Sequence, residues 1–204
     1  MNTLSHIAVG SLVCTYLAEH HEIRLSRMSF LLGNIIPDFR PSFLSRPHYL
    51  AQSIGYVTGE MEALASQPLS SAEIGSEYSK RLGVVCHYYA DFFCHAHSGR
   101  MKKGLLAHVL YEYSLYKYGR KRAEVLGRIP YLQSGEVAGN LEALIRKLEA
   151  YHRFYLDAVP SPGQDLVCAN QACAEAAAAL VRCSCRLRVP ESAEYPACKT
   201  AAAF

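Results

Sequence analysis

Two pairs of potential metal ligands, each spaced four residues apart, stand out in this sequence. His87 precedes Asp91 and His108 precedes Glu112, with His97 between the two pairs. Since four residues make just over one helical turn, each pair would project from one face of a helix. Imidazole and carboxylate groups together suit borderline divalent ions, zinc above all. The spacing therefore predicts a metal site between helices.

Further potential ligands lie upstream, at His6, Asp38 and His48. Asp38 follows Pro37 just after a predicted helix, and His48 follows Pro47 at the start of the next one. Taken singly, each of these three is more often a structural residue than a ligand. Taken with the two pairs, they supply enough groups for more than one ion. We therefore interpret the chain as a metal-dependent hydrolase.

The surroundings of the two pairs differ. Apolar and aromatic residues flank His87 and Asp91. A carboxylate buried there without a partner would cost several kcal/mol, so either a hydrogen bond from His87 or a metal ion must compensate it. The spacing of His108 and Glu112 also occurs on many solvated helices. His97 lies off the helical face of His87 and can join the site only if the chain turns near residues 98–99.

The rest of the sequence reads as helices, with no alternating strand pattern. Helices are predicted over residues 5–21, 26–35, 48–65, 70–98, 103–119, 134–159 and 163–187. Ser5 would cap the first helix, and a capping box over residues 70–73 would open the helix that carries His87 and Asp91. We predict an all-α fold, a single-domain multi-helix bundle over residues 1–188 with a buried multinuclear metal site. A flexible tail is predicted over residues 189–204.

The composition is that of an ordinary globular protein. The chain has 204 residues, of which 50% are hydrophobic and 19% charged, and its formal net charge is +3. That charge is too small for a dedicated nucleic-acid-binding protein, so we expect no stable nucleic-acid partner. Two short basic runs, residues 100–103 and 120–122, are interpreted as solvated helix ends, with peripheral membrane contact as the alternative.

The eight cysteines form no C-x2-C motif, and several lie inside apolar helical segments. A free thiol in such a segment packs as a small hydrophobic group. We therefore expect reduced cysteines and a cytoplasmic protein. The apolar run over residues 7–18 has no Lys or Arg before it, so it is interpreted as a helix of the mature protein rather than a signal peptide. No segment approaches the roughly 18 uninterrupted apolar residues of a membrane span.

The order of these polar residues resembles that of a known family. The series consists of His6, Gly33-Asn34-Ile35-Ile36-Pro37-Asp38, His48, Leu82-Gly83-x3-His87-Tyr88-x2-Asp91, His97 and His108-x3-Glu112. It is similar to the zinc-dependent phospholipase C family over about residues 1–112. The related zinc-dependent single-strand nucleases share the same fold. The resemblance implies an all-helical domain with a trinuclear zinc site.

The resemblance also implies which residues hold each ion. The first zinc would have Asp38, His48, His87 and Asp91 as ligands. The second would have His97, His108 and Glu112. The third would have His6, a shared oxygen of Asp91, and the amine and backbone of Met1. Relatives present a processed amino terminus as a ligand of the third zinc, whereas this sequence starts at Met1. We therefore expect two or three zinc ions per chain.

The reaction implied by the resemblance is hydrolysis of a phosphoric diester. A metal-activated hydroxide would attack the phosphorus of a phospholipid head group, and Asp38 would orient the attacking water as a catalytic residue. Phospholipid or another phosphodiester is the expected substrate. Two alternatives stay open. One is the same chemistry on single-stranded nucleic acid or a small phosphate ester, and the other is a non-catalytic helical protein that keeps the metal site.

Three further residues are assigned from their positions. Tyr49, next to His48, is a candidate for lining the substrate pocket. His95, two residues before His97, is a candidate for contacting a metal ligand. His152 is interpreted as an ordinary surface or helix-end residue.

Overall fold

Helices make up most of the described chain. The computed structural model describes residues 1–39, 48–69, 74–101, 104–127 and 138–186. In these ranges lie nine α-helices: α1 Thr3–His21, α2 Arg27–Gly33, α3 Ile36–Phe39, α4 Leu50–Ala65, α5 Ser76–Phe92, α6 Leu105–Lys121, α7 Ala123–Gly127, α8 Leu141–Asp157 and α9 Pro162–Arg186. A 3₁₀ turn over His95–His97 joins α5 to α6. The described residues form no strand beyond an isolated bridge between Leu25 and Ile74, which confirms the all-α prediction.

Helix α9 forms the centre of this single-domain bundle. It packs against α1, α4, α5, α6 and α8. Its alanines at positions 172, 174 and 176–179 are all buried. Since alanine has only a methyl side chain, neighbouring helices can approach the α9 backbone closely. The alanine-rich stretch therefore supplies the surface on which the other helices are arranged.

Helices α2 and α5 meet at two glycines. A Cβ atom built on Gly33 would lie 2.0 Å from the carbonyl oxygen of Lys80, and one built on Gly83 would lie 2.2 Å from that of Phe30. No carbon side chain fits at either distance, so the two backbones touch here. The contact holds the end of α2 against α5 one turn before His87.

The first helices differ from their predicted boundaries. Asn2, not Ser5, caps α1, because the Asn2 side chain accepts a hydrogen bond of 2.9 Å from the Ser5 amide. The helix predicted over residues 26–35 ends at Gly33, and Asp38, which was expected just after that helix, lies in a further short helix, α3. Pro37 is therefore the second residue of a helix, where its missing N–H is no loss.

The helix predicted over residues 70–98 is shorter than expected. Helix α5 begins at Ser76 and ends at Phe92. The capping box at 70–73 lies outside the described residues. Five apolar residues of this segment, Leu82, Val85, Cys86, Tyr89 and Phe93, are all buried.

In the described ranges, no helix is both long and apolar enough to span a bilayer. The seven cysteines of these ranges are free thiols. The tail at 189–204 lies outside the described residues, so its flexibility and the domain boundary at residue 188 stay predictions.

Candidate metal centre

The fold brings the nine predicted ligands together from separate parts of the chain, with Met1 just before α1 and His97 in the 3₁₀ turn. His6 comes from α1, Asp38 from α3, His48 from just before α4, and the two pairs from α5 and α6. Three sets have ligand atoms within 4.8 Å of one another: His6 with His87 and Asp91, Asp38 with His48 and His87, and His97 with His108 and Glu112. The Met1 amine lies among them, 3.3 Å from a carboxylate oxygen of Glu112 and 3.0 Å from Nε2 of His97.

Asp91 lies at the middle of this cluster and is fully buried. Its Oδ1 atom contacts the Met1 amine and is 3.4 Å from Nε2 of His6. Its Oδ2 atom is 3.0 Å from Nδ1 of His48 and 3.4 Å from Nε2 of His87. The two oxygens therefore face two different groups of nitrogen atoms, as those of a bridging carboxylate would.

The charged groups of the cluster stabilise one another. Burial would raise the pKa of Asp91, but His97, the Met1 amine and His6 hold this pKa well below its ordinary value. Burial would likewise lower the pKa of the Met1 amine, yet the Asp91 carboxylate raises it to about 11. Burial opposes ionisation of Glu112 too, and the hydrogen bond from His97 nevertheless lowers the pKa of Glu112 to about 2. Both carboxylates are therefore ionised at neutral pH.

His87 is held in the neutral form. Burial lowers the pKa of His87 well below its ordinary value, and the neighbouring His6 lowers it further. The ring atom Nδ1 lies 2.7 Å from the backbone oxygen of Asn34. A carbonyl oxygen can only accept, so Nδ1 carries the proton and Nε2 keeps its lone pair toward the cluster. This arrangement is the usual orientation of a metal-binding histidine.

Several buried nitrogen atoms of the cluster have no hydrogen-bond partner among the described residues. They are both ring nitrogens of His6 and Nε2 of His87. An unsatisfied buried polar atom destabilises the folded protein by about 1–3 kcal/mol. Three of them together would be strongly destabilising unless a ligand binds to them. Imidazole nitrogens and carboxylate oxygens are donors that zinc accepts. The cluster therefore fits zinc ions.

His97 reaches the cluster through the 3₁₀ turn that follows α5. Its Nε2 atom lies 3.0 Å from Oε1 of Glu112 and 3.5 Å from Oδ1 of Asp91. His108 lies 3.1 Å from the same Glu112 oxygen. The sequence required a turn near residues 98–99, but the chain turns earlier, because α5 ends at Phe92 and the 3₁₀ turn over His95–His97 follows.

Asp165, in the first turn of α9, forms a hydrogen bond with the backbone of this 3₁₀ turn. Its fully buried carboxylate accepts hydrogen bonds from the His95 amide at 2.7 Å and from the hydroxyls of Tyr111 and Tyr155, both at 2.9 Å. This residue was not predicted from the sequence. The sequence around Asp165 shows only an acidic residue in the first turn of a helix. Such residues are common there because they interact favourably with the helix dipole.

The three residues assigned from position alone have different outcomes. The Tyr49 ring lies 6.0 Å from that of His97, at the edge of the cluster. The His95 ring packs on Tyr111, with 5.4 Å between ring centres, and it is the His95 backbone that bonds Asp165. The interpretation of His152 as a surface residue is wrong. It is buried, with Nε2 at 3.0 Å from the backbone oxygen of Phe92.

Comparison with known proteins gives one positive finding. The model of the family described as zinc dependent phospholipase C matches residues 5–161. That span includes all eight side-chain ligands predicted from the sequence. No curated protein and no solved structure matches the chain. Because the family match covers well over half of the sequence, the protein belongs to the zinc-dependent phospholipase C family.

Proposed function

We propose that this protein uses zinc to hydrolyse phosphodiesters, and that its substrate is a phospholipid from which it releases the phosphorylated head group. The observation that carries the proposal is the placement of Asp91, whose two buried oxygens each face a separate group of nitrogen ligands. Family membership supports the reaction class.

In this proposal the ligand sets are those implied by the resemblance. Asp38, His48, His87 and Asp91 hold the first ion, and His97, His108 and Glu112 hold the second. His6, Asp91 and the Met1 amine hold the third. Bound zinc supplies a water with a lowered pKa and stabilises negative charge on phosphoryl oxygens.

The cluster has an open side and a closed side. Asp91, His6 and His87 are fully buried, whereas the side chains of Asp38, His108 and Glu112 keep 15–24% of their surface exposed. A phosphodiester approaching from solvent therefore meets Asp38 and His108 first. The buried residues fix the geometry, and the exposed ones contact the substrate.

Asp38 is the proposed catalytic residue because it is a partly exposed carboxylate beside the buried ligands. One of its oxygens lies 3.6 Å from Nε2 of His87 and 3.7 Å from Nδ1 of His48. Burial raises the pKa of Asp38 above its ordinary value, although His6 opposes the shift. With one oxygen toward these nitrogen atoms, Asp38 can orient a water through the other.

The test combines zinc content with hydrolysis of two substrates. Purified protein reconstituted with zinc should hold two or three ions per chain by elemental analysis and should release phosphocholine from phosphatidylcholine. His108→Ala should lose about one ion and the activity, because it removes a ligand without opening the buried core. His20→Ala, which removes an exposed imidazole from the end of α1, is the matched control and should keep both.

Three results would each contradict the proposal or a part of it. A reconstituted protein without bound zinc would exclude the metal chemistry, and equal losses in His108→Ala and His20→Ala would exclude the assigned site. Hydrolysis of single-stranded DNA without release of phosphocholine would keep the site and overturn the substrate.

A further inference from the structure

Five exposed apolar side chains lie along the first half of α6. Their exposed fractions run from 53% to 81%, and they are Leu105, Leu106, Val109, Leu110 and Tyr113. Single exposed apolar residues are ordinary on a protein surface. Five of them on adjoining turns of one helix form a patch of the kind that marks a contact surface.

The same side of the helix becomes cationic in its second half. Lys117, Arg120 and Lys121 are exposed there. The Lys117 ammonium lies 5.5 Å from the centre of the Tyr113 ring, so the cationic half directly continues the apolar half. The single acidic residue within α6 is Glu112, which bonds His97 and His108. We name these five apolar and three basic residues the α6 face.

The α6 face borders the candidate metal centre. Leu105 precedes His108 by three residues, and Val109 precedes Glu112 by three residues. Residues three apart on a helix are neighbours on its surface. The apolar half therefore lies beside the ligands that remain partly exposed to solvent.

We propose that the α6 face docks on the surface of an anionic phospholipid bilayer. The apolar half would enter the boundary between head groups and acyl chains, and the basic half would lie against lipid phosphates. Bulky apolar residues and cations on one exposed helix surface, with no acidic residue among them, suit an anionic membrane surface. The inference rests on the proposed function, since docking here would bring phospholipid head groups to the exposed ligands.

Charge favours this partner over a purely apolar one. Each Lys or Arg near an anionic membrane surface is attracted to lipid phosphates, and each leucine side chain that leaves water for the acyl chains adds hydrophobic stabilisation. The α6 face combines three such cations with three leucines. Its two halves thus match the two layers of a lipid surface, phosphate and hydrocarbon.

The experiment measures partitioning onto vesicles by co-sedimentation, with catalysis assayed separately. The vesicles contain phosphatidylcholine and phosphatidylglycerol in a ratio of about three to one, which gives an anionic surface. The test variant is Leu106→Glu with Leu110→Glu. The control is Met28→Glu with Phe154→Glu, which adds the same charge at two other exposed apolar positions, on α2 and α8.

Wild-type protein and the control should partition equally, and the test variant should partition at least about tenfold more weakly. Lys117→Gln with Arg120→Gln and Lys121→Gln should weaken binding and reduce its dependence on salt. With a short-chain phosphatidylcholine present as monomers, the Leu106→Glu, Leu110→Glu protein should hydrolyse the lipid at the wild-type rate, because neither leucine belongs to the metal centre.

Equal partitioning of the test variant and the control would overturn the inference, as would wild-type protein that stays off the vesicles. A dimer in light scattering that the test variant dissociates would overturn it too, since the α6 face would then bind a second copy of the chain. If the protein binds vesicles through the α6 face but does not hydrolyse the short-chain lipid, the docking surface is supported. The proposed function alone is then contradicted.

Discussion

Gly33 of α2 and Gly83 of α5 face each other with no side chain between them. A Cβ on Gly83 would lie 3.0 Å from the Cα of Gly33 and 2.2 Å from the backbone oxygen of Phe30. The hydrogen bond between Asn34 and His87 follows from this contact, because it brings the end of α2 within 2.7 Å of the ring. A close glycine pair thus fixes the orientation of a candidate ligand.

Gly83→Ala should destabilise the protein by about 2–4 kcal/mol, since the helices must separate to admit the methyl group. The separation should also loosen His87 and lower zinc affinity. Chemical denaturation of the metal-free protein and zinc titration measure the two effects. Gly59→Ala is the matched control, because Gly59 is an exposed helical glycine with no atom near its Cβ position. That substitution should stabilise α4 by up to about 1 kcal/mol. Equal stability of the two variants would refute the packing argument.

Asp165→Ala should weaken zinc binding at His97 without touching any ligand. It removes the oxygen that accepts from both the His95 amide and the Tyr111 hydroxyl, and each buried donor left without an acceptor costs about 1–3 kcal/mol. Tyr155→Phe removes only the hydrogen bond to the other carboxylate oxygen and leaves His95 bonded. Zinc titration should show weaker binding in Asp165→Ala and wild-type binding in Tyr155→Phe. If both variants bind zinc like the wild type, Asp165 has no positioning role.

The metal-free protein should lose stability in acid as Glu112 is protonated. The pKa of Glu112 is about 2 in the folded protein and 4.5 in an ordinary site. A lowered folded-state pKa contributes stability that is present above 4.5 and is lost as the pH falls toward 2. Thermal unfolding across this range measures the loss. Glu112→Gln cannot titrate, so its melting temperature should fall less steeply; a parallel decline in both proteins would assign the effect to other groups.

Extension of the chain before Met1 should disturb the cluster, because it removes the charged amine that contacts Asp91 and lies 3.3 Å from Glu112. We expect a protein with one added residue to be less stable without metal and to bind about one zinc ion fewer. Elemental analysis and thermal unfolding of the two forms provide the comparison. Zinc content unaffected by the extension would show that the amine is not a ligand.

Local spacing explains why part of the site could be predicted from the sequence. His87 and Asp91 lie one turn apart on one helix, as do His108 and Glu112, so their proximity depends only on helical geometry. The family resemblance linked these pairs to His6, Asp38 and His48. The helix boundaries were less predictable, because the turn at residues 34–35 and the end of α5 at Phe92 depend on contacts between helices.

Asp165 shows what the sequence could not reveal. It lies 70 positions from His95 in the chain, yet it bonds the His95 backbone. Nothing in the local pattern around Asp165 distinguishes a buried anchor from a solvated residue at a helix start. The burial of His152 escaped prediction for the same reason, since its partner Phe92 lies 60 positions away.

The central position of α9 has a consequence for synthesis. All nine candidate ligands leave the ribosome before Pro162, the residue at which α9 begins and just beyond the end of the family match. A nascent chain therefore carries its complete set of zinc donors before it has the helix around which they assemble. Until α9 emerges, those donors belong to an open chain whose apolar faces are uncovered, the stage at which chains of this size are most prone to aggregate.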